Sequence, residues 1–317
     1  MAGLGVMGAG SMVFPILVSF ALKENQALWF VAMLAIGIFS GLTILLQYRF
    51  TRERVTEESF TAGAKAAEAV KSASLGEQLK AITSEKWWWI AIVFYLLFQW
   101  SGAMKNGSMA YFCKWVIDNS FFGSADAWGA SQSLLGVLGA IPMAVAAVFV
   151  VPLSNKFSKR VVIMIGMAVG ALGGIIAGLA HGNIIGVAIG VALKCLGSAP
   201  ATYMILAMLA DVIDHIEYKD GIRTDGLTMS IYSSIMVAGT PICNAIFSAL
   251  LSATGYDQTA VVGQVVQSAG VQAAISTSYI WVETVCYAVC AALILLWTVE
   301  KNLPAEQAEI KRRKGGK

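Results

Sequence analysis

Residues 161–180 read VVIMIGMAVGALGGIIAGLA, a stretch of 20 consecutive positions without a charged side chain. A helix needs about 20 mainly apolar residues to cross the roughly 30 Å hydrocarbon core of a bilayer. That core contains no water to which unpaired backbone N–H and C=O groups could hydrogen-bond. Such a stretch must therefore satisfy its backbone hydrogen bonds internally, as an α-helix does. The stretch therefore predicts a membrane-spanning helix.

The same kind of apolar run recurs along the whole chain. Since each run is continuously apolar rather than alternating, a transmembrane β-barrel is excluded. The sequence predicts an all-α integral membrane protein with about eight transmembrane helices. The predicted runs are Ala2–Leu22, Ala27–Phe50, Trp87–Ile117, Ala127–Leu153, Val161–Ala180, Asn183–Ala210, Leu227–Thr254 and Tyr279–Val299.

The composition supports a lipid environment. Charged residues make up 13% of the chain and the mean hydropathy is +0.71, whereas soluble domains carry about 25% charged residues. The net charge is only +3 and the basic residues do not gather on one face, so no nucleic-acid partner is predicted. The five cysteines lie in apolar stretches without histidine or carboxylate neighbours, so we predict neither a metal site nor catalytic residues.

The basic residues predict the orientation in the membrane. Lysine and arginine concentrate in cytoplasmic segments of membrane proteins. If the N-terminus is cytoplasmic, 18 of the 22 basic residues fall in the inside segments Arg49–Lys86, Lys156–Arg160, Lys219–Arg223 and Lys301–Lys317. We therefore predict a multi-pass protein of the cell (inner) membrane with both termini in the cytoplasm.

A polar segment divides the predicted helices into two and six. Residues 51–86 are predicted to be a cytoplasmic linker, 87–300 a six-helix bundle, and 301–317 a basic cytoplasmic tail. Near the end of the linker, Ser74 and Glu77 fit a capping box. They precede Leu75, Leu79 and Ile82, which share one helix face, so we expect a short amphipathic helix there.

The segment between the sixth and seventh runs carries a specific motif, which we predict to form a cytoplasmic loop. Its pattern is A-D-x-x-D-x-x-E-x-x-x-G-x-R-x-x-G, and its fixed positions are Ala210, Asp211, Asp214, Glu217, Gly221, Arg223 and Gly226. This motif resembles the signature of the glycoside–pentoside–hexuronide:cation symporters, a melibiose-carrier-like branch of the major facilitator superfamily. The short basic turn 152–160 and the stretch Trp100–Tyr111 resemble the same family.

The resemblance implies a major-facilitator-type bundle, in which the eight runs correspond to family helices five to twelve. Residues 1–50 would then be the last two helices of the N-terminal bundle, and the four helices before them are expected to be absent. The implied function is secondary active symport of a glycoside, pentoside or hexuronide by alternating access. A coupling cation, Na⁺ or H⁺, is expected for the complete transporter, with no other cofactor; the oligomeric state stays open.

Polar residues within the predicted spans are the candidates for the sugar cavity. A charge at membrane depth costs roughly 2.5–3.5 kcal/mol on insertion scales and usually faces a cavity or a partner. For Lys105 and Lys194, structural pairing stays open as an alternative, and for Lys105 so does snorkelling outward. The candidates are Gln99, Trp100, Lys105, Asn106, Lys194, Thr202 and Tyr203.

The charged motif itself predicts a gate. Opposite charges at the cytoplasmic helix ends can hold the inner side shut and release it when substrate shifts the balance. The alternative is a solvated loop whose charges only set the topology. The predicted gating residues are Asp211, Asp214, Glu217 and Arg223, with Lys156, Lys159 and Arg160 on the neighbouring turn.

Two other functions stay open at this stage. Asp211 and Asp214 invite comparison with the aspartate-rich motifs of intramembrane prenyltransferases, although a second acidic motif is missing. The other alternative is a truncated, non-transporting remnant. The sequence does not identify the sugar or the coupling cation.

Overall fold

The computed structural model describes residues 25–50, 74–124 and 127–315, and every regular element in these ranges is helical. The first predicted run, Ala2–Leu22, lies outside the described residues. The helices are α1 (Gln26–Phe50), α2 (Leu75–Ser84), α3 (Lys86–Trp115), α4 (Trp128–Phe157), α5 (Lys159–Leu179), α6 (Ile184–Asp220), α7 (Asp225–Thr254), α8 (Ala269–Ser276), α9 (Val282–Leu295) and α10 (Leu303–Gly315).

Seven helical stretches among the described residues are long and apolar enough to cross a membrane. Six of them are α1 and α3 to α7, and the seventh runs from α8 through a π-helical turn, Thr277–Trp281, into α9. All seven predicted runs that fall on described residues are thereby confirmed as helices of spanning length.

Two predicted boundaries were wrong by about ten residues. The sixth run was expected to end at Ala210, but α6 continues to Asp220, so the predicted loop is helical over Asp211, Asp214 and Glu217. It ends at Gly221, whose backbone is left-handed (φ 68°) and therefore suits a residue without a Cβ. The last run was expected to begin at Tyr279, whereas its helix begins at Ala269.

The predicted capping box before α2 is present. The Ser74 hydroxyl accepts a hydrogen bond from the Glu77 backbone N–H, and the Glu77 carboxylate accepts one from the Ser74 backbone N–H at 2.8 Å. Of the three residues expected to share an apolar face, Ile82 is buried, while Leu75 and Leu79 are exposed. The helix thus contacts the bundle through its C-terminal half.

Two apolar clusters form the core, one toward each end of the bundle. The first contains Trp88, Phe94, Met208 and Trp297. The second contains Phe112, Leu135, Val187 and Tyr279. The polar helix ends lie beyond the two clusters, and the charged residues described below lie between or outside them.

Glycines allow α5 and α6 to pack closely. A Cβ added at Gly173 would lie 2.6 Å from the Gly190 carbonyl oxygen, and one at Gly190 would lie 2.6 Å from the Ala177 nitrogen. Such distances are too short for any side chain, so the two backbones approach as they do only between small residues. A Cβ added at Gly170 of α5 would meet the Tyr287 ring of α9 at 2.6 Å, so α9 also packs closely on α5.

The basic segments meet at one end of the bundle. Lys159 at the start of α5 pairs with Asp211 on α6, and Lys219 on α6 pairs with Glu85 before α3. His215 on α6 hydrogen-bonds Glu306 on α10 at 2.9 Å. We call this end, formed by residues 156–160, 211–225 and 300–313 together with Glu85, the charged end.

Candidate functional site

A buried charged cluster joins three spanning helices. The Glu283 carboxylate on α9 lies 3.2 Å from the Lys105 ammonium on α3 and 2.6 Å from the Lys194 ammonium on α6. The Tyr287 hydroxyl, one turn further along α9, donates to the same Glu283 Oε1 that faces Lys105, at 2.9 Å. We call these four residues the charged cluster.

The π-helical turn before α9 supplies a further acceptor. Lys194 Nζ donates to the Ile280 carbonyl at 3.3 Å, and Ile280 belongs to the turn Thr277–Trp281. Single π-turns inside helices shift the register of the following residues and occur often at functional sites. Here the turn ends two residues before Glu283, so the hydrogen-bond acceptor and the ion-pair partner of Lys194 come from one short segment.

Beside the cluster, α3 and α7 expose polar groups within their spans. Asn106, next to Lys105, is exposed, and so are Thr240 and Asn244 on α7. A Cβ added at Gly102, one turn before Lys105, would meet nothing within 4 Å. Among the described residues, this face of the bundle thus exposes polar groups near the charged cluster.

The structure brings together some of the predicted cavity residues. Lys105 and Lys194 meet at Glu283, and Asn106, the residue after Lys105 in the chain, is exposed. Gln99 is half-buried, and Trp100 donates its indole N–H to the Ile235 carbonyl of α7 at 3.2 Å. Their places on one helix agree with the predicted grouping, but their role in binding stays a prediction.

Thr202 and Tyr203 are not brought to the cluster by any described contact. They lie about two turns beyond Lys194 on α6, where both side chains are exposed. The Thr202 hydroxyl donates to the Ser198 carbonyl of its own helix at 3.1 Å. The structure thus separates these two candidates from Lys105 and Asn106.

Glu283 is the residue that our sequence analysis missed. It is the single acidic residue within the predicted run Tyr279–Val299, and a lone carboxylate at such a position was a usable signal. Its side chain is 1% exposed, against 3% for Lys194 and 20% for Lys105. Glu283 is therefore the centre of the cluster, because its carboxylate pairs with both lysines.

At the charged end, two motif carboxylates hold neighbouring helices. Lys159 Nζ lies 2.5 Å from Asp211 Oδ2, and the Asp211 side chain is 7% exposed. The Gln307 side-chain amide on α10 donates to Asp214 at 2.8 Å. Asp211 thereby links α6 to α5, and Asp214 links α6 to α10.

The other predicted gating residues are placed differently. Arg223 pairs with Glu217 at 2.7 Å and with Asp225 at 2.5 Å, which closes the turn between α6 and α7. The Arg160 guanidinium donates to the carbonyls of Ile294 and Leu295 at the end of α9. Lys156 is exposed and lies over the ring of Phe157.

Glu85 adds an unpredicted contact at this end. Its carboxylate accepts from Lys219 at 2.9 Å, and His215 lies 3.8 Å away. Burial raises the pKa of Glu85, but the Lys219 ammonium, the Trp87 backbone N–H and His215 together outweigh it and lower the pKa below its ordinary 4.5. Glu85 is therefore ionised at neutral pH and ties the start of α3 to the end of α6.

Comparison with known proteins decides the family. A family model described as MFS/sugar transport protein matches residues 1–301, which is nearly the whole chain. The chain belongs to this family. Members are transporters rather than enzymes, so this MFS/sugar transport chain is a multi-pass membrane protein without the prenyl-transfer chemistry that the two aspartates suggested.

Two relatives have names that specify sugars or glycosides. The isoprimeverose transporter of Lactiplantibacillus pentosus is 25% identical over 98% of this chain and 61% of its own length. The putative glycoside/cation symporter YagG of Escherichia coli (strain K12) is 22% identical over 83% of this chain and 53% of its own length. This MFS/sugar transport chain thus spans about half to three-fifths of the length of these relatives.

Proposed function

We propose that the chain carries out secondary active symport of a sugar or glycoside with a cation, by alternating access. The observation that carries the proposal is the set of polar groups exposed near the charged cluster, where Asn106 follows Lys105 in the chain. Sugar hydroxyls need donors and acceptors in a place that lipid does not cover, and polar groups within spans face such cavities. The names of the two relatives support the sugar class.

The charged end is proposed to lie in the cytoplasm and to act as the inner gate. Support comes from the meeting of the basic segments there, since cytoplasmic ends are rich in lysine and arginine. In a protein with two conformations, a ligand shifts the balance only by its differential affinity for them. Pairs such as Lys159–Asp211 would be made in one conformation and broken in the other.

Reconstitution into liposomes tests the function. We expect radiolabelled isoprimeverose, or another glycoside of pentose or hexose, to accumulate when a Na⁺ or proton gradient is imposed. Empty liposomes serve as the control. Uptake that does not respond to either gradient would contradict cation coupling, and glycoside binding without uptake would favour the non-transporting alternative.

The gate is tested by Asp211→Asn, which removes the buried partner of Lys159. If the pair is made in only one conformation, its loss changes the balance between conformations. We expect sugar exchange rates to change about tenfold or more, corresponding to about 1.4 kcal/mol, with little change in affinity. Exchange of labelled for unlabelled sugar across the liposome membrane measures the rate.

A matched control for this gate variant is Asp118→Asn. Asp118 lies outside the charged end and is exposed, and its carboxylate accepts a hydrogen bond from the Ser120 backbone N–H at 2.9 Å. Asparagine can accept the same hydrogen bond. This variant should exchange sugar at the wild-type rate. Equal rates for Asp211→Asn and the wild type would instead support the alternative in which the charges only set topology.

A further inference from the structure

His215 lies between two carboxylates that belong to different elements of the charged end. Its Nδ1 is 2.9 Å from Glu306 Oε2 on α10, and its Nε2 is 3.8 Å from Glu85 Oε2 before α3. The side chains of Glu306 and Glu85 are 8% and 5% exposed, so little water competes for their oxygens. The imidazole therefore faces a buried acceptor on each side.

The number of protons on His215 decides how many of these acceptors it serves. A neutral imidazole carries one N–H group, so it donates to one carboxylate and turns a lone pair toward the other. An imidazolium carries two N–H groups and a positive charge, and histidine changes between these forms at about pH 5 to 8. Protonation of His215 therefore strengthens its hydrogen bond to α10 and attracts Glu85 to its other nitrogen.

The other charged groups near His215 are paired. Burial raises the pKa of Glu85, but Lys219 and the other donors described above bring it below 4.5, so Glu85 stays ionised down to about pH 5. On α6 itself, Lys219 donates to Glu85 at 2.9 Å. Asp211, one turn before His215, faces Lys159 of α5. Protonation of His215 is thus the step that places a new positive charge between the two carboxylates.

The position of α10 on α6 depends on a short row of contacts that includes His215. Beside the His215 contact, the Gln307 amide donates to Asp214 at 2.8 Å, and the Arg313 guanidinium donates to the Tyr218 carbonyl at 3.0 Å. The same end of α6 contacts α5 and the segment before α3. A firmly docked α10 therefore favours the conformation in which the charged end is drawn together.

We propose that His215 is a pH-sensitive joint of the inner gate. In its protonated form it fastens α10 and the start of α3 to the end of α6, so the charged end opens less often. In its neutral form it holds only one of them. Acidification on this side of the membrane then slows sugar exchange. The inference rests on the proposed sugar transport and adds regulation by pH to its gate.

Exchange of labelled for unlabelled isoprimeverose in proteoliposomes tests the joint, with the same pH inside and outside so that no proton gradient is present. A charge-assisted hydrogen bond is roughly twice as strong as a neutral one, so we expect wild-type exchange to slow about fivefold from about pH 8 to about pH 5.5. His215→Gln keeps one donor but cannot gain a charge. This variant should exchange at the same rate at both pH values.

The matched control is His181→Asn. His181 is the other histidine of the chain and lies in the turn between α5 and α6, at the end away from the charged end. Its backbone is left-handed (φ 47°), a conformation that asparagine tolerates. This variant should slow with acidification as the wild type does. So should Asp211→Asn, which removes the titratable carboxylate one turn before His215 on α6.

Hydrogen exchange of the α10 amides, measured by mass spectrometry and corrected for the intrinsic rate, reports on the joint without transport. We expect wild-type α10 to be better protected at about pH 5.5 than at about pH 8, and His215→Gln to be equally protected at both. Equal protection in the wild type would overturn the inference even if the variant does not fold. So would a slowing of sugar exchange that survives His215→Gln. If isoprimeverose and other glycosides do not exchange while α10 protection still follows His215, the proposed transport fails and the joint stands.

Discussion

Glu283→Gln is expected to destabilise the fold more than any other single change at the charged cluster. The substitution keeps the size of the side chain but removes the carboxylate that faces both Lys105 and Lys194. Two ammonium groups would then share a buried site without a counter-charge. Removing one partner of a buried ion pair costs about 3–5 kcal/mol, and here one change affects two pairs.

Comparison of Glu283→Gln with Lys105→Gln tests whether the net charge of the cluster determines the loss of stability. Lys105→Gln leaves one lysine and one carboxylate, Lys194 and Glu283, at 2.6 Å, so the cluster becomes neutral. We expect it to unfold in detergent close to the wild-type temperature, while Glu283→Gln unfolds far below it or is not recovered folded. Similar melting temperatures for the two variants would show that the carboxylate does not balance the lysines.

Gly197→Ala is expected to separate α5 from α6. A Cβ at this position would meet the backbone of Gly166 and Gly170, and it would lie 2.8 Å from the Gly170 Cα. Backbone atoms cannot turn aside as a flexible side chain does. Overpacking of this kind costs about 1–3 kcal/mol, and we expect the upper part of that range.

Gly41→Ala is the matched control. Gly41 also lies inside a spanning helix, α1, but a Cβ there would meet nothing within 4 Å. Since alanine favours a helix over glycine by about 1 kcal/mol, this change should be neutral or stabilising. Thermal unfolding followed by circular dichroism measures both variants. A Gly197→Ala protein as stable as Gly41→Ala would show that α5 and α6 do not need the close approach.

The spanning helices could be predicted because hydrophobicity is a local property. Each apolar run marks a stretch that lipid must cover, and the run 161–180 coincides with α5 to within two residues at its start. The predicted boundaries failed where a helix leaves the apolar region. In α6, the segment from Asp211 to Asp220 is rich in charged residues but continues the helix, since Asp211 and Asp214 find partners on α5 and α10.

The charged cluster could be predicted only in part. Lys105 and Lys194 stand out in the sequence because a charge in an apolar run is costly unless it faces a partner or a cavity. Their common partner, Glu283, lies 89 positions beyond Lys194, and only the packing of α3, α6 and α9 brings the three together. Which residues pair across that distance depends on the tertiary structure, and a single sequence does not show it directly.

The length of α6 gives the protein a mechanical connection between its two charged regions. The helix carries Lys194 in its first third and Asp211 in its last third, and Pro200 between them removes one backbone hydrogen bond. From Pro200 to Asp211 the helix forms an arm of about 16 Å. A bend of about 10° at the proline would swing the tip by roughly 3 Å, which is enough to part Asp211 from Lys159. Small rearrangements at the depth of the cluster would thus be magnified into opening at the far end.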